Sequence, residues 1–374
     1  GGLLMPARSK NNIDFTLLIT VLILLAIGVA MVFSASSISS FMKYNDRYHY
    51  LKSQGFFAIL GILAMMFMSR FDYRILGRFA GPLVLLSIAL LIAVFIPGIG
   101  YTANEATRWI KIGSQTMQPS EFAKFALIIF MAKSISNKKE KIRSFKHGVL
   151  PYVILAAIYF VLIILEPNLS MAGSILMITF AMLFAAGTKI IYLIGWLIPV
   201  LPAVGYIIMK KPYMLARVTS YMNPWADPLN KGYQAIQSLY ALGSGGIFGL
   251  GLGNSRQKFF YIPEPQNDFI FAIIGEELGF IGTATIVILF LMLIWRGLRI
   301  ALACPDTFGC LLATGITCMI AIQATLNIAV ATVSIPTTGI SLPFISSGGS
   351  SLLFVMVNMG ILLNISKTVK TGRS

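Results

Sequence analysis

Long apolar runs dominate this chain and constrain its fold more than any other feature of the sequence. Residues 13–33 hold one acidic residue, Asp14, followed by about twenty residues without a charge. A helix of that length crosses a hydrocarbon core of about 30 Å. Charged residues make up only 11% of the chain, against about 25% in a soluble domain. The sequence therefore predicts an all-α, polytopic integral membrane protein.

The apolar runs predict about ten transmembrane helices, separated by charged residues, prolines or glycines. They lie near 14–36, 52–69, 78–97, 119–135, 149–166, 169–187, 190–208, 268–295, 306–332 and 351–366. We expect a cytoplasmic N-terminus at 1–13, a single membrane domain at 14–366 and a cytoplasmic tail at 367–374. The first four residues look like a cloning remnant ahead of Met5.

The distribution of Lys and Arg predicts the orientation of these helices. Short cytoplasmic connections are rich in Lys and Arg, and the densest cluster of this chain lies at 133–146. Both termini are then cytoplasmic, and 209–264 is a large outer loop between the seventh and eighth helices. This loop carries six cations: Lys210, Lys211, Arg217, Lys231, Arg256 and Lys258. Either a long loop escapes the charge rule, or these cations form a funnel for an anionic ligand.

Charge and cysteine content exclude two other classes of function. A net charge of +16 would suggest nucleic acid in a soluble protein, but the cytoplasmic charge bias explains it here, so we reject nucleic-acid binding. The three cysteines lie far from the two histidines in sequence and form no CxxC or HExxH pattern, which makes a protein-built zinc site unexpected.

A first group of polar residues surrounds the start of the fourth span. Arg108, Trp109 and Lys111 precede the span and form a candidate lip for sugar and phosphate contacts, although Trp109 alone fits an aromatic belt equally well. Glu121 and Lys124 are spaced i, i+3 and can pair within the membrane. A purely structural ion pair is the alternative role for these two residues.

A second group opens the eighth span. Asp268 is expected at the start of this helix, where it fits either an N-cap or a residue facing a cavity. Glu276 lies eight residues further, about 12 Å along a helix. Glu276 and Glu277 cannot both face lipid, and Gly275 and Gly279 form a GxxxG pattern for close packing. We therefore expect structural roles for the glutamates and a cavity-facing role for Asp268.

Three further segments break the apolar pattern. Residues 217–238 are polar, aromatic and rich in turn formers, and a short helical segment follows them. The glycine-rich run 243–253 lacks GxGxxG spacing, so it predicts a tight re-entrant turn and not a dinucleotide site. Residues 335–351 hold two prolines, several glycines and many hydroxyls. Irregular backbone near membrane depth is tolerated where it lines a cavity, which we infer for this segment.

These motifs together resemble the SEDS family (shape, elongation, division and sporulation), the group of FtsW, RodA and SpoVE. The segments that carry the resemblance are RWIKIGSQTMQPSEFAK, NPWADPLNKGYQAIQSLYALGSGG, PEPQNDFIFAIIGEELGFIG and PTTGISLPFISSGGSS. The similarity runs from Asp14 to Lys367, and SRQKFFYIPEPQNDFIFA is nearest to the SpoVE and FtsW branch.

The resemblance implies a peptidoglycan glycosyltransferase that polymerises lipid II at the outer face of the bacterial cytoplasmic membrane. It also implies a class B penicillin-binding protein as partner, and it leaves Mg²⁺ or Mn²⁺ as candidate metals. The expected general base is Asp268. The expected substrate contacts are Arg108, Trp109, Lys111, Arg217, Gln257, Lys258 and Ser350. A lipid II flippase and a non-catalytic division scaffold are the alternative functions.

The sequence departs from the family pattern at one residue and in one short segment. Ser347 replaces the tyrosine that usually precedes the paired glycines, and residues 166–170 read Glu-Pro-Asn-Leu-Ser where members usually have Gln-Pro-Asp-Leu-Gly. The first affects a contact at the cavity wall and the second the packing of the fifth and sixth spans. Neither affects Asp268.

Overall fold

A computed structural model gives the fold and describes residues 13–369, except 104, 105, 114, 231 and 256–265. Its helices are α1 (Phe15–Tyr44), α2 (His49–Arg70), α3 (Ala80–Ala93), α4 (Pro119–Lys138), α5 (Leu150–Leu165), α6 (Leu169–Ala185), α7 (Ile190–Lys210), α8 (Pro212–Met222), α9 (Tyr233–Ser244), α10 (Ile270–Ala303), α11 (Thr307–Ala331) and α12 (Gly349–Ser366). The strands are β1 (Gly100–Ala103), β2 (Ala106–Ile112) and β3 (Gln115–Met117).

Ten of these helices coincide with the predicted spans. Seven of the described helices (the fifth counted with the turn before it) are long and apolar enough to cross a membrane, namely α1, α2, α5, α7, α10, α11 and α12. Helices α3 and α6 are shorter but apolar, and α4 carries charges among its apolar residues. Helices α8 and α9 lie in the long loop between the seventh and eighth spans. The polytopic all-α fold predicted from the apolar runs is therefore confirmed.

A small antiparallel sheet, which the sequence did not predict, precedes α4. Its strand order is β1-β2-β3, with Trp109 opposite Tyr101 and Lys111 opposite Thr116. Gly113, between β2 and β3, has a φ of 63°, a conformation that glycine adopts without strain. The sheet fixes the positions of Arg108 and Trp109 relative to the start of α4.

Helices α11 and α12 form the centre of the bundle. Helix α11 packs against α10, α4 and α6, while α12 packs along α2. The most apolar windows of α11 and α12 are 67% and 61% buried, whereas that of α7 is only 11% buried. Helix α7 therefore lies at the periphery, where its apolar side chains face lipid.

A kink at Gly279 divides α10 into two parts, and the glycine-rich run 243–253 forms hydrogen bonds with the backbone on both sides of the kink. Gly279 has a φ of 66°, which interrupts the helical hydrogen bonds around it. The carbonyls of Glu276 and Glu277 accept from the amides of Leu250 and Gly251 at 2.9 and 3.0 Å. Beyond the kink, the amides of residues 280 and 281 donate to the carbonyls of residues 246 and 247 at 2.9 and 3.2 Å. The re-entrant turn therefore satisfies backbone groups that would otherwise be unpaired within the bundle.

The close approach of the glycine-rich run to α10 at this kink is possible because glycine has no side chain. A Cβ placed on Gly245 would lie 1.9 Å from the carbonyl oxygen of Gly275, and one on Gly279 would lie 2.3 Å from the amide of Gly249. The Glu277 carboxylate accepts from Ser34 Oγ at 2.7 and 2.6 Å, so it ties α10 to α1. These contacts agree with the structural roles expected for the GxxxG pattern and for Glu277.

Candidate active site

The two polar groups found in the sequence and the irregular 335–351 segment meet around one cavity of about 200 Å³. The cavity lies where the sheet, the start of α4, the connection before α10 and the start of α12 converge; we call this the cavity end of the bundle. Its described lining residues are Trp109, Thr116, Gln118, Glu121, Met171, Asn267, Asp268, Gly339, Ser341, Ser347, Gly348, Gly349, Ser350 and Ser351. Hydroxyls, amides and two carboxylates therefore surround this space.

Asp268 lines this cavity but does not cap α10. The helix begins at Ile270, its N-cap residue is Phe269, and no side chain caps it. The N-cap alternative for Asp268 is therefore wrong, because the chain makes a further turn between Asp268 and the helix. The cavity-facing position expected for Asp268 agrees with the structure.

Side chains of α11 and of the 335–348 segment fix the backbone around Asp268. Asn327 Nδ2 donates to the carbonyls of Asp268 and Ile340 at 2.9 and 2.8 Å. Ser346 Oγ donates to the carbonyl of Asn267 at 2.7 Å and accepts from the amide of Leu342 at 2.8 Å. The irregular segment and the connection before α10 are thus tied together, which holds the backbone of Asn267 and Asp268 in place.

Arg108 brings a positive charge to the same region. Its Nε donates to the carbonyl of Glu166 at 3.1 Å and its Nη2 to that of Pro167 at 2.5 Å. A Cβ placed on Gly339 would lie 3.8 Å from Arg108 Nη1 and 3.9 Å from Asp268 Oδ2. Burial lowers the pKa of the Arg108 guanidinium, and Arg217 lowers it further, while Asp268 acts in the opposite direction. Gly339 leaves open the space between this cation and the carboxylate.

Glu121 and Lys124 form a buried ion pair at the first turn of α4. Lys124 Nζ lies 2.9 Å from Glu121 Oε2, and both side chains are almost fully buried. The contact is close in distance but not aligned as a hydrogen bond, since the ammonium has no hydrogen-bond partner among the described residues. Lys124 therefore neutralises Glu121, one of the two carboxylates that line the cavity.

Arg217 lies beside a neighbouring, more apolar cavity of about 210 Å³. Its Nη1 donates to the carbonyl of Thr337 at 3.2 Å, on the segment that leads to Gly339. Tyr213, Ile335 and residues of α6 and α8 also line this second cavity. An apolar cavity with a cation at its wall, next to a polar one, suits an amphiphilic ligand with a charged head.

The other predicted contacts are distributed as follows. Trp109 and Ser350 line the polar cavity, whereas Lys111 is exposed on β2 and does not line it. Gln257 and Lys258 lie outside the described residues. The role of each in substrate binding stays a prediction.

Several residues at this site were not singled out from the sequence. Asn327 is an amide within the apolar run of the ninth span, and such a polar residue in a membrane helix was the available signal. Glu166 was noted only as a departure from the family pattern, although it lies next to Arg108. Met171 carries no sequence signal, because an apolar residue in a span is expected to pack in any case.

The described lining of the cavity has two carboxylates, Glu121 and Asp268, as possible metal ligands. Within the described part of the chain, no three His, Cys, Asp or Glu residues are placed to share an ion. Mg²⁺ is often held by one or two carboxylates together with substrate phosphates. Since Glu121 is engaged by Lys124, Asp268 is the carboxylate that would hold such an ion here.

Comparison with known proteins identifies the family of this chain. A family model described as "Cell cycle protein", FTSW_RODA_SPOVE, matches residues 15–371. The chain belongs to the FtsW/RodA/SpoVE family. As a member with many apolar helices, it is a multi-pass protein of the cytoplasmic membrane.

Curated relatives and solved structures match this family member over nearly its whole length. Stage V sporulation protein E of Bacillus subtilis is 46% identical over 96% of this chain and 98% of its own. The probable peptidoglycan glycosyltransferase FtsW of Geobacter metallireducens is 45% identical, covering 97% of each chain.

Two solved structures share its fold. One, described as "Structural coordination of polymerization and crosslinking by a peptidoglycan synthase complex", has a TM-score of 0.79 at 28% identity and covers 96% of this chain and 99% of its own. Thermus thermophilus RodA has a TM-score of 0.70 at 26% identity, covering 96% and 98%.

Proposed function

We propose that this chain is a peptidoglycan glycosyltransferase that polymerises lipid II. Its relatives are named for peptidoglycan glycosyltransferase activity and for sporulation. The single observation that carries the proposal is how close the Asp268 carboxylate and the Arg108 guanidinium lie to Gly339 at the cavity wall. A Cβ placed on Gly339 would be 3.9 Å from Asp268 Oδ2 and 3.8 Å from Arg108 Nη1. A base and a cation separated by open space are what transfer of a sugar from a diphosphate requires.

The chemistry assigns Asp268 as general base. A sugar hydroxyl of the acceptor attacks the anomeric carbon of the donor, and its proton passes to the Asp268 carboxylate. The new C–O bond forms as the bond to undecaprenyl pyrophosphate breaks, so the configuration inverts. The diphosphate leaves with the electron pair, and it needs no general acid because it is a stable anion.

Cations at the departing diphosphate provide the second requirement. Charge that develops on a leaving group is stabilised by fixed positive groups in a site of low dielectric constant. Arg108 lies beside Gly339, which lines the polar cavity, and Arg217 lines the adjoining apolar cavity. A headgroup between them, with the isoprenoid chain toward the lipid-facing α7, would satisfy both cavities.

We also propose a class B penicillin-binding protein as partner. The solved structure of highest similarity described above belongs to a complex that coordinates polymerization with crosslinking. Polymer made in the membrane becomes wall only after its peptides are cross-linked, so a transpeptidase bound to this chain would act on the nascent strand.

The test is the Asp268→Asn variant, assayed for lipid II polymerisation with and without the cognate transpeptidase. The substitution keeps the size of the side chain, and the helix start does not depend on it because Asp268 is not the cap. Polymerisation should fall by about 10²–10⁴-fold, the usual contribution of a general base. Lipid II binding should stay near the parental value, since Arg108 and Arg217 are intact.

The matched control is Asp46→Asn, which changes an exposed carboxylate between α1 and α2 that pairs with Lys52. It should leave polymerisation unchanged. A folded Asp268→Asn protein that polymerises at the parental rate would reject the base assignment. A parental protein that polymerised no lipid II in the presence of its transpeptidase, but moved lipid II across a liposome membrane, would replace the polymerase with the flippase alternative.

A further inference from the structure

Glu166 is a fully buried carboxyl group in the connection between α5 and α6. Its side chain is 0% exposed, and neither Oε1 nor Oε2 has a hydrogen-bond partner among the described residues. A buried carboxylate without partners is strongly disfavoured relative to its protonated form. Glu166 is therefore a buried titratable group for which the proposed chemistry has no use.

Arg108 connects this carboxyl group to the cavity. Its Nε and Nη2 donate to the backbone carbonyls of residues 166 and 167, and not to the Glu166 carboxyl. The other side of the same guanidinium faces Gly339 and the Asp268 carboxylate. The backbone carbonyls of residues 166 and 167 thus fix the position of Arg108 on one side. On the other side, its guanidinium lies close to Gly339 at the wall of the cavity.

The charged and titratable groups near this turn come from three elements. Arg108 lies on β2, Tyr213 and Arg217 lie on α8, and Asp268 lies before α10. Tyr213, Arg217 and Asp268 each interact electrostatically with Arg108. Arg108 is the group that acts on Glu166 itself. An ionised Glu166 would attract the guanidinium of Arg108 toward the turn, whereas a neutral Glu166 leaves that charge for the cavity.

We propose that Glu166 is a positioning residue that works as the neutral acid and keeps the Arg108 guanidinium directed at the Asp268 cavity. The proposal deepens the polymerase function and rests on it for its activity measurement. Its thermal measurement, given below, does not depend on that function.

The pH dependence follows from the state of Glu166. Burial raises the pKa of Glu166 to about 8, with Arg108 acting in the opposite direction. Below that pH the group is neutral, and above it the group ionises. The unfolded chain releases this proton near pH 4.3. The folded protein therefore holds an extra proton between about pH 4.3 and pH 8, and this group makes the folded state less stable as pH rises through that window.

Glu166→Gln tests the proposal, because glutamine has the shape of the protonated acid and cannot ionise. The rate of lipid II polymerisation by the parental protein, divided by that of the variant at the same pH, should fall about tenfold between pH 7 and pH 9. Taking the ratio removes the pH dependence of Asp268 and of the substrate, which both proteins share.

Thermal unfolding of the same two purified proteins gives the second measurement. Their midpoints should lie closest at the acid end of the window, near pH 5, and the variant should become progressively more stable than the parent up to about pH 8. The control is Glu121→Gln, which removes a carboxylate paired with Lys124. It should lower the midpoint throughout this pH range.

The outcomes separate this proposal from the proposed function. Parallel pH–rate profiles with a constant difference in midpoint, or a Glu166→Gln protein that is less stable at every pH, would overturn the role of a neutral Glu166. If neither protein polymerised lipid II at any pH, the polymerase function would fail, and the thermal midpoints would still decide the state of Glu166.

Discussion

At the scale of single residues, the buried Glu121–Lys124 pair offers the sharpest test of packing. Removing one partner leaves an uncompensated charge inside the bundle, which costs about 3–5 kcal/mol, whereas removing both can cost little. Lys124→Ala and Glu121→Ala should each lower the thermal midpoint in detergent. The double variant should recover most of that loss.

The exposed Lys52–Asp46 pair is the matched control for this cycle. Its two side chains are 70% and 34% exposed, although their charged atoms are only 2.7 Å apart. Exposed pairs contribute at most about 1 kcal/mol, so their coupling energy should be small. Additive losses in the Glu121–Lys124 cycle would mean that those two residues do not stabilise each other.

Single residues also show where sequence reasoning reaches its limit. The i, i+3 spacing was sufficient to bring Glu121 and Lys124 together, because a helix fixes that geometry locally. The position of Asp268 relative to the helix start was not accessible in this way. The turn at 268–269 is held by Asn327 and Ser346, which are distant in sequence, so no local pattern reports it.

At the scale of elements, replacing a glycine that packs at the kink of α10 with a residue that has a side chain should destabilise the fold. Gly249 has a φ of 80°, and an added Cβ would lie 2.2 Å from the carbonyl oxygen of Glu277. Gly249→Ala should cost at least about 2 kcal/mol, through backbone strain and overpacking. The expected result is a lower thermal midpoint and a lower yield of folded protein.

Gly243→Ala is the control for this element. Gly243 lies in α9, no atom would lie within 4 Å of an added Cβ, and alanine favours a helix over glycine by about 0.5–1 kcal/mol. This variant should be as stable as the parent or more so. A Gly249→Ala protein with the parental midpoint would show that the close contact between residues 245–251 and α10 is not required for stability.

Elements differed in how well the sequence predicted them. Apolar runs located the ten spans because a bilayer demands about twenty apolar residues in a row. The strands β1, β2 and β3 are short and lie between two spans, and β3 has only three residues, too few for an alternating pattern. The glycine-rich run was correctly expected to turn tightly, but its partner, the kink at Gly279, depends on tertiary contacts.

At the scale of the whole molecule, orientation in the membrane is the prediction to test. The positive-inside rule places the connection between α1 and α2 outside and the 139–149 connection inside. In a variant without Cys304, Cys310 and Cys318, we expect Arg47→Cys to react with a membrane-impermeant maleimide on intact cells. Lys141→Cys should react only after the cells are permeabilised. The reverse pattern would invert the topology and place the cavity on the cytoplasmic face.

The order in which the cavity wall is built has a consequence for biosynthesis. Gly349, Ser350 and Ser351, at the start of the last described helix, complete a wall whose other side is Trp109 on β2. A ribosome still translating α12 has therefore delivered Asp268, Arg108 and Arg217 but not the part of the wall that α12 forms. Under the proposed function, a nascent chain gains its site only when α12 enters the bilayer, so copies stalled at the translocon before that step would consume no cell-wall precursor.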